Sequence, residues 1–294
     1  MKTTGFTFIR NAILYDYPIV EAIQSILPLC QSVVVALGDS MDETEALVRS
    51  IDPKKIVVIP TVWDESLRDG GRVLAEETNK ALEAVPDDSD WAIYIQGDEV
   101  LHEQSLPVLE TAMDRYRHDE SIDGLLLNYH HFYGSYDYIG VSPNWYRHEI
   151  RVIKPRRNIY SYRDAQGFRK GAEEKLSVVA TEAWIHHYGW VKPPEAMQRK
   201  QETFNKYWHD DDWVEANIPK VTNFDYASHI RQLARFSGAH PQVMERRVAS
   251  RNWEFDCDIS MNRLTLRDKL KDFLREHCGI DLSYRNYIIA KPTR

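Results

Sequence analysis

Apolar residues in the first third of the chain come in short, dense runs. Phe6 to Ile9, Ser32 to Leu37, Ile56 to Ile59 and Trp91 to Ile95 are four of them. They are continuous rather than alternating and mostly rich in β-branched residues, which predicts strands buried on both faces. Between them the apolar positions fall at helical spacing. Ile19, Ala22, Ile23 and Ile26 mark a helix within Tyr15 to Leu29, closed by Pro28. Ala46, Leu47 and Val48 follow a capping Asp42. Leu67, Leu74, Thr78, Ala81, Leu82 and Val85 share one face of a helix from Ser66 to Val85. Strands alternating with helices predict an α/β fold with a largely parallel, doubly wound sheet. Ligands of such sheets sit beyond the carboxyl ends of the strands. Asp39 to Asp42 and Gln96 to Glu99 occupy two such ends.

The pattern changes near residue 100. A helix (Leu106 to Tyr116) leads to a strand (Gly124 to Tyr129) and then to an aromatic segment from His130 to Trp145. Further strands are predicted at Ile150 to Ile153 and Ser177 to Ile185, and helical signals dominate from Pro194 onward. There is no internal repeat and no Gly- or Ser-rich linker. Residues 1–100 and 101–190 therefore read as two halves of one domain, and 191–294 as a helical C-terminal region.

Composition narrows the function classes. Of the 294 residues 43% are hydrophobic and 28% charged, a globular balance. The net charge of −8 disfavours a nucleic-acid binder. That charge is uneven: residues 1–100 carry 8 basic and 18 acidic side chains, whereas residues 141–175 carry 9 basic and 4 acidic. Lys154, Arg156, Arg157 and Arg163 in that stretch face either an anion or solvent. No run is long and apolar enough for a transmembrane helix, although peripheral membrane contact stays open. The N-terminus lacks the features of a signal peptide. Cys30, Cys257 and Cys278 are too few and too far apart for a disulfide framework, so the expected location is a reducing cytoplasm.

Two segments carry candidate chemistry. Gln96-Gly97-Asp98-Glu99 puts a carboxylate at a strand end beside a glycine. Such a carboxylate suits Mg²⁺ or Mn²⁺, which bind through one or two carboxylates plus substrate phosphates; it is equally the composition of a solvated turn. Trp184 to Trp190 holds His186 and His187 before Gly189. Imidazole is a common metal ligand, and equally a structural group bonded to backbone. Leu37 to Thr44 has the make-up of a helix-capping turn.

The order of these segments resembles the family 2 glycosyltransferases, nucleotide-sugar enzymes of the GT-A fold. Phe8-Ile9-Arg10-Asn11 matches the first strand and its terminal Asn. Leu37-Gly38-Asp39-Ser40-Met41-Asp42-Glu43-Thr44 stands where the family has an Asp-Asp-Gly-Ser-Thr-Asp-Gly-Thr type motif. Ser40, Asp42 and Thr44 match, and Asp39 lies one place after the missing Asp pair. Glu77-Thr78-Asn79 keeps the Asn of an Ala-Arg-Asn pattern and loses its Arg. Gln96-Gly97-Asp98 keeps the second Asp of Asp-x-Asp. Arg147 to Arg151, then Asp164, then His187-Tyr188-Gly189-Trp190 follow in the order seen in some members. The resemblance covers roughly residues 4–190.

What the resemblance implies is a GT-A-like transferase moving a sugar, with inversion, from a UDP- or GDP-linked donor to a glycan, lipid-linked or small-molecule acceptor. Arg10, Asn11, Asp39, Asn79, Gln96 and Gly97 would bind the nucleotide sugar. Asp98 and His187 would hold Mn²⁺ or Mg²⁺. Asp164 would be the catalytic base, with Glu173 and Glu174 as rivals. A binding protein on the same fold that has lost catalysis is the alternative. A sugar-phosphate nucleotidyltransferase is disfavoured, because Arg10 to Leu14 contains no Gly-rich phosphate loop.

Overall fold

The computed structural model describes residues 1–156, 158–229, 232–261, 273, 277 and 285–290. Arg157, Cys278 and much of the region after 261 lie outside the described residues. In chain order the elements are β1 (Thr3–Ile9), α1 (Ile19–Ile26), β2 (Ser32–Gly38), α2 (Thr44–Ile51), β3 (Ile56–Thr61), α3 (Arg72–Glu83), β4 (Trp91–Tyr94), β5 (Glu99–Leu101), α4 (Leu106–Tyr116), β6 (Gly124–Tyr133), β7 (Ser135–Gly140), β8 (His148–Ile153), β9 (Ile159–Tyr162), β10 (Gly167–Lys170), β11 (Glu174–Lys175) and β12 (Ser177–Trp190). They are followed by α5 (Pro194–Phe204), α6 (Asp211–Asn217), β13 (Leu233–Arg235), α7 (Glu245–Ala249) and β14 (Ile288–Ile289).

The four predicted apolar runs form a parallel block of one sheet, in the order β3-β2-β1-β4. Their continuous hydrophobicity has the expected cause. Val33, Val35 and Ile93 face a core with Ile23, Val48, Leu109 and Met113, from α1, α2 and α4. Val34, Ala36 and Tyr94 face the opposite core, with Ala81 and Leu82 of α3. The sheet is thus α/β and wound on both faces, as the pattern predicts.

Beyond β4 the sheet continues through β8, β6, β7 and β13 with antiparallel pairing. β12 runs parallel to β6 and antiparallel to β5. Strand β6 extends four residues into the aromatic segment that begins at His130, because its rings stack on those of β12. Helix α3 begins at Arg72 rather than Ser66. Gly70 and Gly71, both at positive φ, turn the chain into it, and a Cβ on Gly71 would lie 2.9 Å from Asp164 Cβ. After residue 190 the described residues form short helices and also two strands of the main sheet. Among the described residues no helix is long and apolar enough to cross a membrane.

Candidate active site

A cavity of about 450 Å³ opens at the carboxyl ends of β1 and β4. Ile9 and Arg10 leave β1 at its floor, and Gln96, Gly97 and Asp98 follow β4. Asp164 and Gln166 come from the turn between β9 and β10. His131 and His187 come from β6 and β12, and Lys200 from α5. Trp63, Tyr207 and Trp208 add an aromatic wall.

The β5–β12 pairing explains why Asp98 meets His187. His187 lies opposite Glu99, and the Tyr188 amide donates to the Asp98 carbonyl at 2.7 Å. The Asp98 carboxylate is then 3.6 Å from His187 Nε2 and 3.4 Å from Lys200 Nζ. Burial pushes its pKa up, but Lys200, His187 and Lys192 more than offset that and hold it at about 2. Gly189 keeps this corner open: a Cβ there would lie 2.7 Å from His187 Nε2 and 2.8 Å from Asp98 Oδ2.

The hydrogen bonds fix the imidazole tautomers. His131 Nε2 faces the Tyr146 carbonyl at 2.7 Å, and a carbonyl only accepts, so that nitrogen carries the proton. Burial and the neighbouring His187 keep His131 neutral, leaving a lone pair on its Nδ1. His187 Nδ1 lies 3.0 Å away and must donate to it. Burial also lowers the His187 pKa while Asp98 and Glu99 pull it back up, and His187 Nε2 faces the Asp98 carboxylate. Among the described residues no group of three or more His, Cys, Asp or Glu side chains is assembled for a metal. Asp98 and His187 nevertheless fit a divalent ion that takes its remaining ligands from phosphate and water, with His131 as the outer partner that orients the ligating ring.

Behind Asp98 sits a buried ion pair. Arg151 Nε and an Arg151 terminal nitrogen donate to the two Glu99 oxygens, each at 2.8 Å, and both side chains are fully buried. Tyr129 donates to the same carboxylate, and Arg151 also donates to the Gln166 carbonyl. This pair fixes the Asp98 turn against the Asp164 turn. Asp164 lies between Arg163 and Ala165, both at positive φ, and burial raises its pKa.

The cavity therefore gathers Arg10, Gln96, Gly97, Asp98, Asp164 and His187 from the residues expected to bind donor, metal or acceptor. It does not gather the others. Asn11 accepts from the Met41 amide with its side-chain oxygen, and Asn79 bonds the Ser161 amide and carbonyl, so the Asn79 amide is spent on backbone; neither residue lines the cavity. Asp39 is exposed and pairs with Arg10 at 3.3 Å. Glu173 bonds Tyr160, and Glu174 sits on the exposed β10–β11 hairpin; neither lines the cavity. Gln96 lines it while donating to the Ala165 carbonyl at 3.2 Å.

No protein family matches the chain, and no curated protein does. Solved structures similar to it include TarS of S. aureus, at 16% identity and a TM-score of 0.42, over 69% of this chain and 38% of that one. The 1–349 segment of TarS in complex with UDP has 16% identity and a TM-score of 0.41, over 69% and 64%. Glucosyl-3-phosphoglycerate synthase of Mycobacterium tuberculosis, in complex with Mn²⁺, UDP and phosphoglyceric acid, has 18% identity and a TM-score of 0.30, over 44% and 43%. The chain thus spans less than two thirds of each of these proteins. The likeness is partial, and it transfers neither activity nor ligands.

Sequence reading missed Lys192 and Lys200. Both are buried, and both lie near Tyr17, at 4.3 and 5.1 Å from its ring. Burial, with Lys200 nearby, lowers the Lys192 pKa to about 7. It also missed Trp63, whose indole N–H is buried without a hydrogen-bond partner. Trp63 packs on Phe8 and Tyr207 with ring centroids 5.8 and 5.5 Å apart, and the Arg10 guanidinium lies 5.7 Å from its ring.

Proposed function

We propose that the chain is a glycosyltransferase that moves a sugar from a nucleoside-diphosphate sugar to an acceptor hydroxyl, with inversion. The observation that carries this reading is the pair Asp98 and His187, 3.6 Å apart at a strand-end cavity with Lys200 beside them, a donor set suited to a divalent ion and a diphosphate. The order of motifs along the sequence supports it independently.

Asp98 and His187 would hold a divalent ion against the diphosphate. When bound, that ion supplies charge neutralisation for the departing nucleotide. Lys200 adds a fixed positive charge beside the same oxygens, in a cavity where burial strengthens electrostatic stabilisation. Trp63 and Tyr207 would offer aromatic surface to the nucleobase, with the Arg10 guanidinium over the Trp63 ring. The acceptor oxygen forms a bond to the anomeric carbon while the carbon–oxygen bond to the diphosphate breaks and its electron pair leaves with the nucleotide. Asp164 takes the proton of the acceptor hydroxyl. Its raised pKa suits a general base better than that of an ordinary exposed carboxylate.

The test is thermal denaturation with UDP and GDP in Mn²⁺, in Mg²⁺ and in chelator, followed by assays of sugar release from UDP- and GDP-sugars. A nucleotide at 100 times its dissociation constant should add about 2.7 kcal/mol of stability, and less in chelator. No stabilisation by either nucleotide in any of the three conditions overturns the reading. Binding without sugar release leaves the alternative, a nucleotide-sugar binding protein.

A further inference from the structure

A second cavity of about 200 Å³ adjoins the first. Trp145, Trp190 and Gln201 line both, so the two share a wall. Their chemistry differs. The first holds Arg10, Lys200, Asp98 and Asp164. Among the described residues, the second has no Lys, Arg, Asp or Glu in its lining, which consists of aromatic rings, hydroxyls and amides with the His229 imidazole and Leu233. Trp145 is held in place by stacking on His131, with centroids 4.9 Å apart, and Phe224 packs on Trp190 at 6.2 Å. Gln232 Oε1 is buried and has no hydrogen-bond partner, an acceptor that costs stability unless something donates to it.

A group that fills this space must satisfy amides without bringing charge, and must present apolar surface to indole and phenyl rings. A pyranose does both: its C–H faces lie against aromatic rings, and its hydroxyls both donate and accept. A phosphorylated acceptor would bury its charge with no Lys or Arg among the described lining residues to pair it, which is costly. We infer that the second cavity is an acceptor subsite for an uncharged glycosyl residue, with Gln232 accepting from one of its hydroxyls. The assignment rests on the glycosyl-transfer reading and narrows the acceptor to a neutral carbohydrate. It also gives the C-terminal region, through Phe224 and Gln232, a part in substrate choice.

The experiment is saturation-transfer NMR on the full chain loaded with UDP and Mn²⁺. The probes are glucose, galactose, N-acetylglucosamine, cellobiose and lactose, with glucose 6-phosphate as the charged comparison. Gln232→Ala and Phe224→Ala are the variants, and UDP binding is measured on each as the control for folding. At least one neutral sugar should bind the parent protein more tightly than glucose 6-phosphate. Both variants should weaken it about tenfold, an effect of the size expected for one hydrogen bond or ring contact, with UDP affinity unchanged. Absence of neutral-sugar binding while UDP still binds overturns the subsite, as does preference for the phosphorylated sugar or undiminished binding by both variants. Absence of UDP binding to the parent overturns the glycosyl-transfer reading instead.

Discussion

His186 and His187 are neighbours in β12, and their rings face opposite sides of the sheet, as adjacent strand residues do. His187 meets Asp98 and the cavity. His186 enters a dry pile, with ring centroids 5.3 Å from each of His102, His130 and Phe132 and 5.5 Å from Phe236. Burial lowers both pKa values, but only His187 has carboxylate neighbours that act the other way. Asp98 and Glu99 pull His187 back up, whereas His130, His102 and His240 push His186 further down. One side of the strand presents an imidazole to a carboxylate and a cavity, and the other buries its imidazole among rings as packing. The same residue type, one position apart, takes its role from the charges across from it.

The largest effect belongs to the cavity side. Asp98→Asn should lower metal-dependent nucleotide binding and sugar transfer by about 10³-fold, the several kcal/mol a bound cation contributes. The melting temperature should stay within a few degrees, since the amide keeps the shape. Retained transfer in this variant would leave the cavity without its acidic role.

Paired alanine variants sharpen the contrast. His187→Ala should cost about 100-fold in activity, at the upper end for groups that set a metal site, with little loss of stability. His186→Ala should do the reverse, costing about 2–5 kcal/mol as a buried side chain is emptied and leaving turnover nearly intact. Opposite outcomes in the two assays would move the reactive face to the other side of β12.

The smallest effect is one of pH. Burial and the neighbouring His102 hold His130 at about 4, below its usual 6.5. Between those values the unfolded chain binds a proton that the folded one refuses, so stability is present above 6.5 and is lost as pH falls toward 4. His130 is half-buried, and water screens the effect to roughly 1 kcal/mol. His130→Phe should flatten the decline in melting temperature over that window while preserving activity at neutral pH. An unchanged decline would place the acid sensitivity elsewhere.

The parallel half of the fold was legible because burial on both faces leaves an unbroken apolar run, as in Ser32 to Leu37. Asp98 was legible for the same reason, since it closes such a run. Lys200 was not: it reaches Asp98 across 102 residues, and nothing local in α5 marks it. Nor can sequence separate a polar side chain spent on the backbone from one free for a ligand. Asn79 shows this, its amide bonded to Ser161 although its place in the motif order suggests the donor. The start of α3 was misplaced because Leu67 continues the helical spacing, whereas Gly70 and Gly71 break the backbone first.

The Glu99–Arg151 pair bears on how the chain reaches this state. Glu99 belongs to the first hundred residues and its neighbours, Arg151 to a strand made 52 positions later. Neither charge can be dehydrated alone, and removing one partner of such a pair costs about 3–5 kcal/mol. The acidic half cannot complete its own interior before the later strand arrives, so the two should fold as one cooperative unit. A fragment ending soon after Leu101 would carry an unneutralised Glu99 carboxylate, making cleavage there a route to unfolding rather than to two working parts.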